Sequence, residues 1–292
     1  MKKNNESLRI LLDKAHHYWT CFLCLLILIP LLLLVNKLII EGFRHISLEA
    51  LFYSQPTQTE VIFAQLAGER IPGGIANGIL GSFYIIIIAL AAAIPIGLLS
   101  GIFCYAKRHY KFIQLFLYTN NILMGVPAVI IGIVIYLWVV KSLFQFSALA
   151  GGIAIAIVIF PYITRSAYQI LIRLPSALEE SSMALGAGYA QTVFMILVPS
   201  IRKELTGYIL HAAARGLGVT APLFFTALGR ASINWDMNQP VSALGIQIWS
   251  FFSNPYMISL MWLAALVLVL IIIVLHINAK ILIGNQKVYN NE

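Results

Sequence analysis

Two parts of this sequence carry side chains whose types and spacing suit chemistry. The first is Arg215, the one formally charged residue in the otherwise uncharged stretch 205–228. A cation near the centre of a bilayer costs at least ~2.5–3.5 kcal/mol on insertion scales, so it is expected to face a water-lined interior and to have a partner. A permanently charged guanidinium with a planar fork of donors suits an oxyanion that must shed water to cross. The competing reading is a structural arginine held by backbone carbonyls or by a neighbouring subunit. His211, one turn earlier on the same helical face, either adds a donor or packs as a neutral ring. Thr220 and Pro222 place a hydroxyl and a helix irregularity nearby. The proline either frees backbone groups to line a cavity or makes a simple kink.

The second part, 174–200, reads as a docking element. Pro175 and Ser176 are expected to start a helix, with Ser176 and Glu179 in capping-box spacing. Leu178, Ser182 and Leu185 fall on one face, and Gly186 and Gly188 end the helix. A second short helix through Tyr189, Val193, Phe194 and Leu197 is expected to stop at Pro199. Two short amphipathic helices make a rigid knob for a soluble partner, or they lie in the headgroup region.

Several absences narrow the chemistry. The chain has no Gly-x-x-x-x-Gly-Lys-Ser/Thr loop and so does not cradle ATP in the usual way. It has no His-Glu-x-x-His, and acidic residues vanish between Glu69 and Glu179, which argues against a membrane-embedded carboxylate relay. An enzyme, an autonomous pump and a proton-coupled carrier all fit poorly. Cys21, Cys24 and Cys104 lie in or beside apolar runs and read as packing residues. Asn120 and Asn121 read as helix glue.

The elements that must position these groups are membrane helices. Of 292 residues, 60% are apolar and 10% charged, and mean hydropathy is +0.89, an excess that a water-soluble surface cannot cover. Long continuous apolar runs place six spans near 19–40, 77–105, 116–140, 148–162, 205–228 and 257–282. They do not alternate, so a transmembrane barrel fits poorly.

Lys and Arg placement orients the spans. Lys2, Lys3, Arg9 and Lys14 precede the first; Lys107, Arg108 and Lys111 follow the second; Arg165, Arg173, Arg202 and Lys203 follow the fourth; Lys280 and Lys287 come last. The opposite side holds only Lys37, Arg44, Arg70, Lys141 and Arg230. Both termini are expected in the cytoplasm, with tails 1–18 and 284–292 around a transmembrane domain 19–283 whose inner loop is 163–204. The net charge of +8 thus reflects topology and is no argument for nucleic acid.

Glu180-Ser181-Ser182, then Gly186, then Ile196-Leu197-Val198-Pro199 resembles the Glu-Ala-Ala…Gly…Ile-x-Leu-Pro coupling motif of ABC importer permeases. Glu180, Gly186, Ile196 and Pro199 match in identity and register, while serines replace both alanines and Val198 replaces leucine. Gly73-Gly74-Ile75-Ala76-Asn77, Gly125-Val126-Pro127, Phe146-Ser147-Ala148-Leu149-Ala150-Gly151, Ala184-Leu185-Gly186-Ala187, and the run from Ala214 through Leu223 are similar to permeases of ABC phosphate importers. The likeness runs from about residue 73 to 250.

The resemblance implies an all-α membrane protein with the type I ABC importer permease (MetI-like) fold. It implies a transport subunit with no cofactor and no catalysis of its own, set in a bacterial inner membrane. Its implied partners are a second permease subunit, an ATPase dimer using ATP and Mg, and an external phosphate-binding protein. It assigns transport to Arg215, with His211, Thr220 and Pro222 beside it, and ATPase coupling to Glu180, Ser181, Ser182, Gly186, Ile196 and Pro199. The family pattern has glutamate where this chain has Val219, and commonly an acidic residue at Ala106. The first departure removes the expected partner four residues after Arg215, and leaves sulfate or molybdate as alternative oxyanions. The rival from another class is an ATP-independent carrier whose inner helices rest on lipid.

Overall fold

In hydrocarbon only a helix satisfies its own backbone within one segment, so the long apolar runs fold as helices. The computed structural model describes residues 2–68 and 72–284, with side chains from Leu12 onward. Arg70, Lys287 and the expected tail beyond Gly284 lie outside the described residues, as do the side chains of Lys2, Lys3 and Arg9.

The chain begins with α1 (Lys2–Arg44), two short helices α2 (Leu48–Phe52) and α3 (Gln58–Ala67), and the long α4 (Ala76–Ala106). The expected tail 1–18 is thus helical from Lys2 and continuous with the first span. α5 (Lys111–Gly125) and α6 (Ala128–Ile135) follow, and α6 runs through a wide π turn, Tyr136–Val140, into α7 (Lys141–Leu143). Next come α8 (Ala148–Ile172), α9 (Ser176–Ala184), α10 (Tyr189–Gln191), a second π turn, Thr192–Leu197, and α11 (Val198–Gly218). α12 (Leu223–Thr226), α13 (Leu244–Phe252) and α14 (Ile258–Gly284) complete the chain.

The expected six spans are met by a less regular set. Four helices among the described residues are long and apolar enough to cross a membrane: α1, α4, α8 and α14. A fifth is the pair α5 and α6–α7, bent by 94° where a straight span was expected over 116–140. Pro127 removes a backbone donor and drives Val126 extended (φ −64°, ψ 128°), which ends α5 at Gly125. The span expected over 205–228 is replaced by α11, which carries Arg202, Lys203, Glu204 and Arg215, stops at Gly218, ten residues short of the expected end, and is not among the helices long and apolar enough to cross. α8 instead overruns its expected end at 162 and reaches Ile172, taking Arg165 into the helix and reducing the expected loop 163–204 to the stretch between α8 and α11.

α4 and α8 pack along their length, and small residues let them approach. A Cβ on Gly97 would stand 2.9 Å from Ile163 Cβ, and one on Gly101 2.6 Å from Ala167 Cβ. Gly97 and Gly101 are spaced as a small-xxx-small seam, which replaces the hydrophobic driving force that lipid cannot supply. Ala89 and Ala93 continue the seam fully buried, within a core shared by α4, α8 and α11. Gly97→Ala is expected to destabilise by about 1–3 kcal/mol, as overpacking does. The check is a lower thermal midpoint for the purified protein in detergent; an unchanged midpoint would show that the seam has slack. α1 touches α14 near Leu38, Gly42 and Leu266, with Lys37 Nζ 5.5 Å from the Trp262 ring, and most of its other side chains are exposed.

Candidate functional site

The stretch between α8 and α11 forms a knob beyond the C-terminal end of α4. Gly186 closes α9 with φ +89°, its N–H bonding Met183 O at 2.9 Å while Ala187 N–H bonds Ser182 O at 3.2 Å. This is the double closure that a left-handed glycine permits at a helix end. Ser182 Oγ and Thr192 Oγ1 lie 2.8 Å apart, both buried, and bolt α9 to the second π turn. The serine standing where the family motif has alanine therefore makes a structural bond.

Two sequence expectations fail here. Ser176 does not cap α9: Pro175 takes the cap position without a side-chain bond, and Glu179 turns elsewhere. Its Oε2 accepts from Tyr105 Oη at 2.8 Å and from Arg108 Nη2 at 3.2 Å, because α9 lies against the end of α4. Pro199 does not stop the second helix either. It sits in the first turn of α11, where a missing N–H is tolerated, and the π turn feeds straight into α11.

The expected face of Leu178, Ser182 and Leu185 is split. Ser182 points inward, whereas Leu178 is exposed and Leu185 is 90% exposed. Of the coupling residues, Glu180, Ser181, Gly186 and Pro199 are exposed and Ile196 is half-buried. Tyr189 sits at the knob's base, where burial and then the Glu179 charge push its phenol up. Arg173 pairs with Glu204, tying the end of α8 to the start of α11. Sequence reasoning missed the roles of Tyr105, Arg108, Thr192 and Glu204. The adjacent acids Glu179-Glu180 were the available signal, since one of the two can face inward while the other faces out.

Arg215 lies in the last turn of α11, not halfway along a span. Its side chain is exposed, with no hydrogen bond or ion pair among the described residues, although its charge reaches Tyr162 on α8. A cation at a helix C-terminus also gains from the helix dipole, which serves the structural reading as well. Because the helix ends at Gly218, residue 219 is not on the next helical turn, and Val219 leaves the helix with φ −94° and ψ 101°.

His211 shares α11 with Arg215, yet its ring packs 4.4 Å from that of His276 on α14, and its Nδ1 is buried without a partner. Thr220 and Pro222 lie beyond the helix end and turn to different neighbours. Thr220 packs on Gly245 and borders an apolar cavity of about 750 Å³ with Phe224, Trp249 and Met261. Pro222 is buried against Gly132, whose Cβ would stand 2.6 Å from Pro222 Cα. The structure thus assembles the residues expected to couple into one knob and spreads the four residues expected in the pathway over a broken helix. Asn120 bonds the Pro161 carbonyl at 2.9 Å and Asn121 accepts from Arg165 at 2.7 Å, consistent with helix glue.

At the opposite end of α4, Asn77 is buried and joins three segments. Its Oδ1 accepts from Gln55 N–H at 3.0 Å and from Gln247 Nε2 at 2.7 Å, and its Nδ2 donates to the Arg230 carbonyl at 2.7 Å. Around these segments open two cavities of about 660 and 770 Å³, both bordered by Gln55 and Arg230.

Residues 93–285 match the family described as "Binding-protein-dependent transport system inner membrane component". Relatives named "Phosphate transport system permease protein PstA" include one from Haemophilus influenzae, 29% identical over 98% of this chain and 100% of its own length. Others are from Pasteurella multocida, 30% identical over 90% of this chain and 88% of its own, and from Yersinia pestis, 32% identical over 74% of each. Among solved structures, a chain of the inward-facing MetNI methionine ABC transporter superposes with a TM-score of 0.52 at 15% identity, covering 78% of this chain and 98% of that one. That likeness shows a shared fold of the ABC permease kind. With the family match spanning residues 93–285, most of the sequence, this chain belongs to the inner membrane components of binding-protein-dependent transport systems.

Proposed function

We propose that this chain is the PstA-type permease subunit of an ATP-driven phosphate importer. The observation that carries the reading is the knob 176–199, whose glycine-closed α9 exposes Glu180, Ser181 and Leu185 in the register of an ATPase-docking motif. The names of the relatives support phosphate as the substrate.

In this reading the partners are a PstC-type second permease, a PstB-type ATPase dimer and a PstS-type external binding protein. The ATPase uses ATP and Mg, and this chain contributes no catalysis. Both termini face the cytoplasm, 19–283 forms the transmembrane domain, and 284–292 is a short tail. Differential contact between the knob and the two states of the ATPase supplies the work of alternating access. Arg215 meets the desolvated anion with charge-assisted hydrogen bonds, and with no ion pair among the described residues those donors stay available. Thr220, Pro222 and His211 shape the broken helix around it.

The test is radiolabelled phosphate uptake into proteoliposomes holding this chain with its co-purified partners, with and without enclosed ATP. Uptake should require ATP and the binding protein and should resist excess sulfate. Displacement by sulfate or molybdate would change the substrate and keep the class. Uptake indifferent to ATP would overturn the reading.

A further inference from the structure

The partner's stroke arrives at the knob, while the anion enters from the opposite face, so something must connect the two. α4 is placed to do so. Its 31 residues span about 46 Å at 1.5 Å per residue, and it ends in a polar junction on each side.

At one end, the Glu179 carboxylate of the knob takes Tyr105 Oη and Arg108 Nη2 on one oxygen. Arg108 Nη1 also bonds the Tyr105 carbonyl at 3.1 Å, and the guanidinium lies 4.4 Å from the Tyr105 ring centroid. The Glu179 and Arg108 side chains are only 12% and 25% exposed, so this is not a solvated surface pair. Charge-assisted bonds in such surroundings hold geometry more firmly than exposed ion pairs. At the other end, Asn77 holds Gln55, Gln247 and the Arg230 backbone, and one turn on, Ser82 Oγ accepts from Leu244 N–H at 2.8 Å. Between the junctions, α4 is locked to α8 through Gly97 and Gly101.

We propose that Glu179 and Asn77 are positioning residues at the two ends of one transmission rod. The rod carries movement of the knob to the entry cavities bordered by Gln55 and Arg230, and carries occupancy of that entry back to the ATPase. The coupling is reciprocal, as any equilibrium coupling between two sites must be. The support is one continuous helix, with Pro95 inside it and Gly97 and Gly101 packing it against α8, that ends in a defined polar junction on each side. The proposal rests on the reading of the knob as an ATPase dock.

The experiment reconstitutes the complete complex in proteoliposomes and measures ATP hydrolysis with and without phosphate-loaded binding protein, together with phosphate moved per ATP. Glu179→Gln and Asn77→Ala should each cut the stimulation by roughly 5- to 10-fold, the low end of a typical coupling. The double variant should be no worse than the poorer single one, because both break the same connection. Glu179→Arg combined with Arg108→Glu should recover stimulation that either reversal alone abolishes, while capture of the ATPase stays at the wild-type level in all three, which separates lost transmission from a collapsed knob.

A wild-type complex deaf to the loaded binding protein overturns the functional reading and the inference with it. A responsive wild type with equally responsive single variants overturns the inference alone. So do additive losses in the double variant, which would mean two independent sites. Should Asn77→Ala fail to assemble, Glu179→Gln and the charge swap decide the matter at the knob, and Asn77→Ser repeats the test at the other end.

Discussion

Arg215→Gln is expected to leave a chain that inserts, assembles and supports ATP hydrolysis while phosphate uptake falls by roughly 10- to 100-fold, the value of one hydrogen bond to a charged group. Assembly should survive because the guanidinium makes no hydrogen bond or ion pair among the described residues, so none of them is orphaned by its removal. Insertion should not suffer, since glutamine removes a formal charge from an otherwise uncharged stretch. A loss of transport in this variant therefore reports on the anion and not on folding. Arg215→Lys should fall between the two, keeping the charge while losing the planar fork. Uptake by proteoliposomes at matched protein content is the measurement, and unchanged uptake would remove Arg215 from the pathway.

Gly186→Val is expected to abolish capture of the ATPase subunit while leaving the permease in the membrane. The position has φ +89°, where a β-branched residue is a steric outlier and even an ordinary L residue loses about 1–2 kcal/mol. A Cβ there would meet nothing within 4 Å among the described residues, so the damage is expected to stay in the turn and on the docking face. Relaxing the turn breaks the bonds from Gly186 and Ala187 back to Met183 and Ser182, and swings the 90% exposed Leu185 away from its presented direction. Co-purification of the ATPase with tagged permease checks this. Leu185→Ala should weaken capture without disturbing the backbone, which separates loss of contact from loss of shape. Full capture by Gly186→Val would mean that the knob is not the dock.

Much of the molecule was legible before any coordinates. Composition and uninterrupted apolar runs fixed the membrane class and the helices α1, α4, α8 and α14, because length and hydropathy are summed over residues and need no neighbours. Gly186 marked the turn between α9 and α10, since a helix–glycine–helix turn is specified locally by a residue that adopts positive φ at no steric cost.

The rest was decided by distant parts of the chain. Glu179 stood in capping-box spacing, yet its carboxylate reaches Tyr105 and Arg108, 74 and 71 residues away, because α9 docks on the end of α4. Pro199 read as a stop, yet the π turn before it runs straight on into α11. The stretch 205–228 had the composition of one span, but α11 breaks at Gly218 where Pro222 packs against Gly132 and Thr220 against Gly245. His211 shared a helical face with Arg215, and His276 on α14 claimed its ring. Period and composition report which residues lie on one face of one helix. Which neighbour that face meets, and where close packing allows a helix to break, depends on surfaces brought together only when the helices assemble.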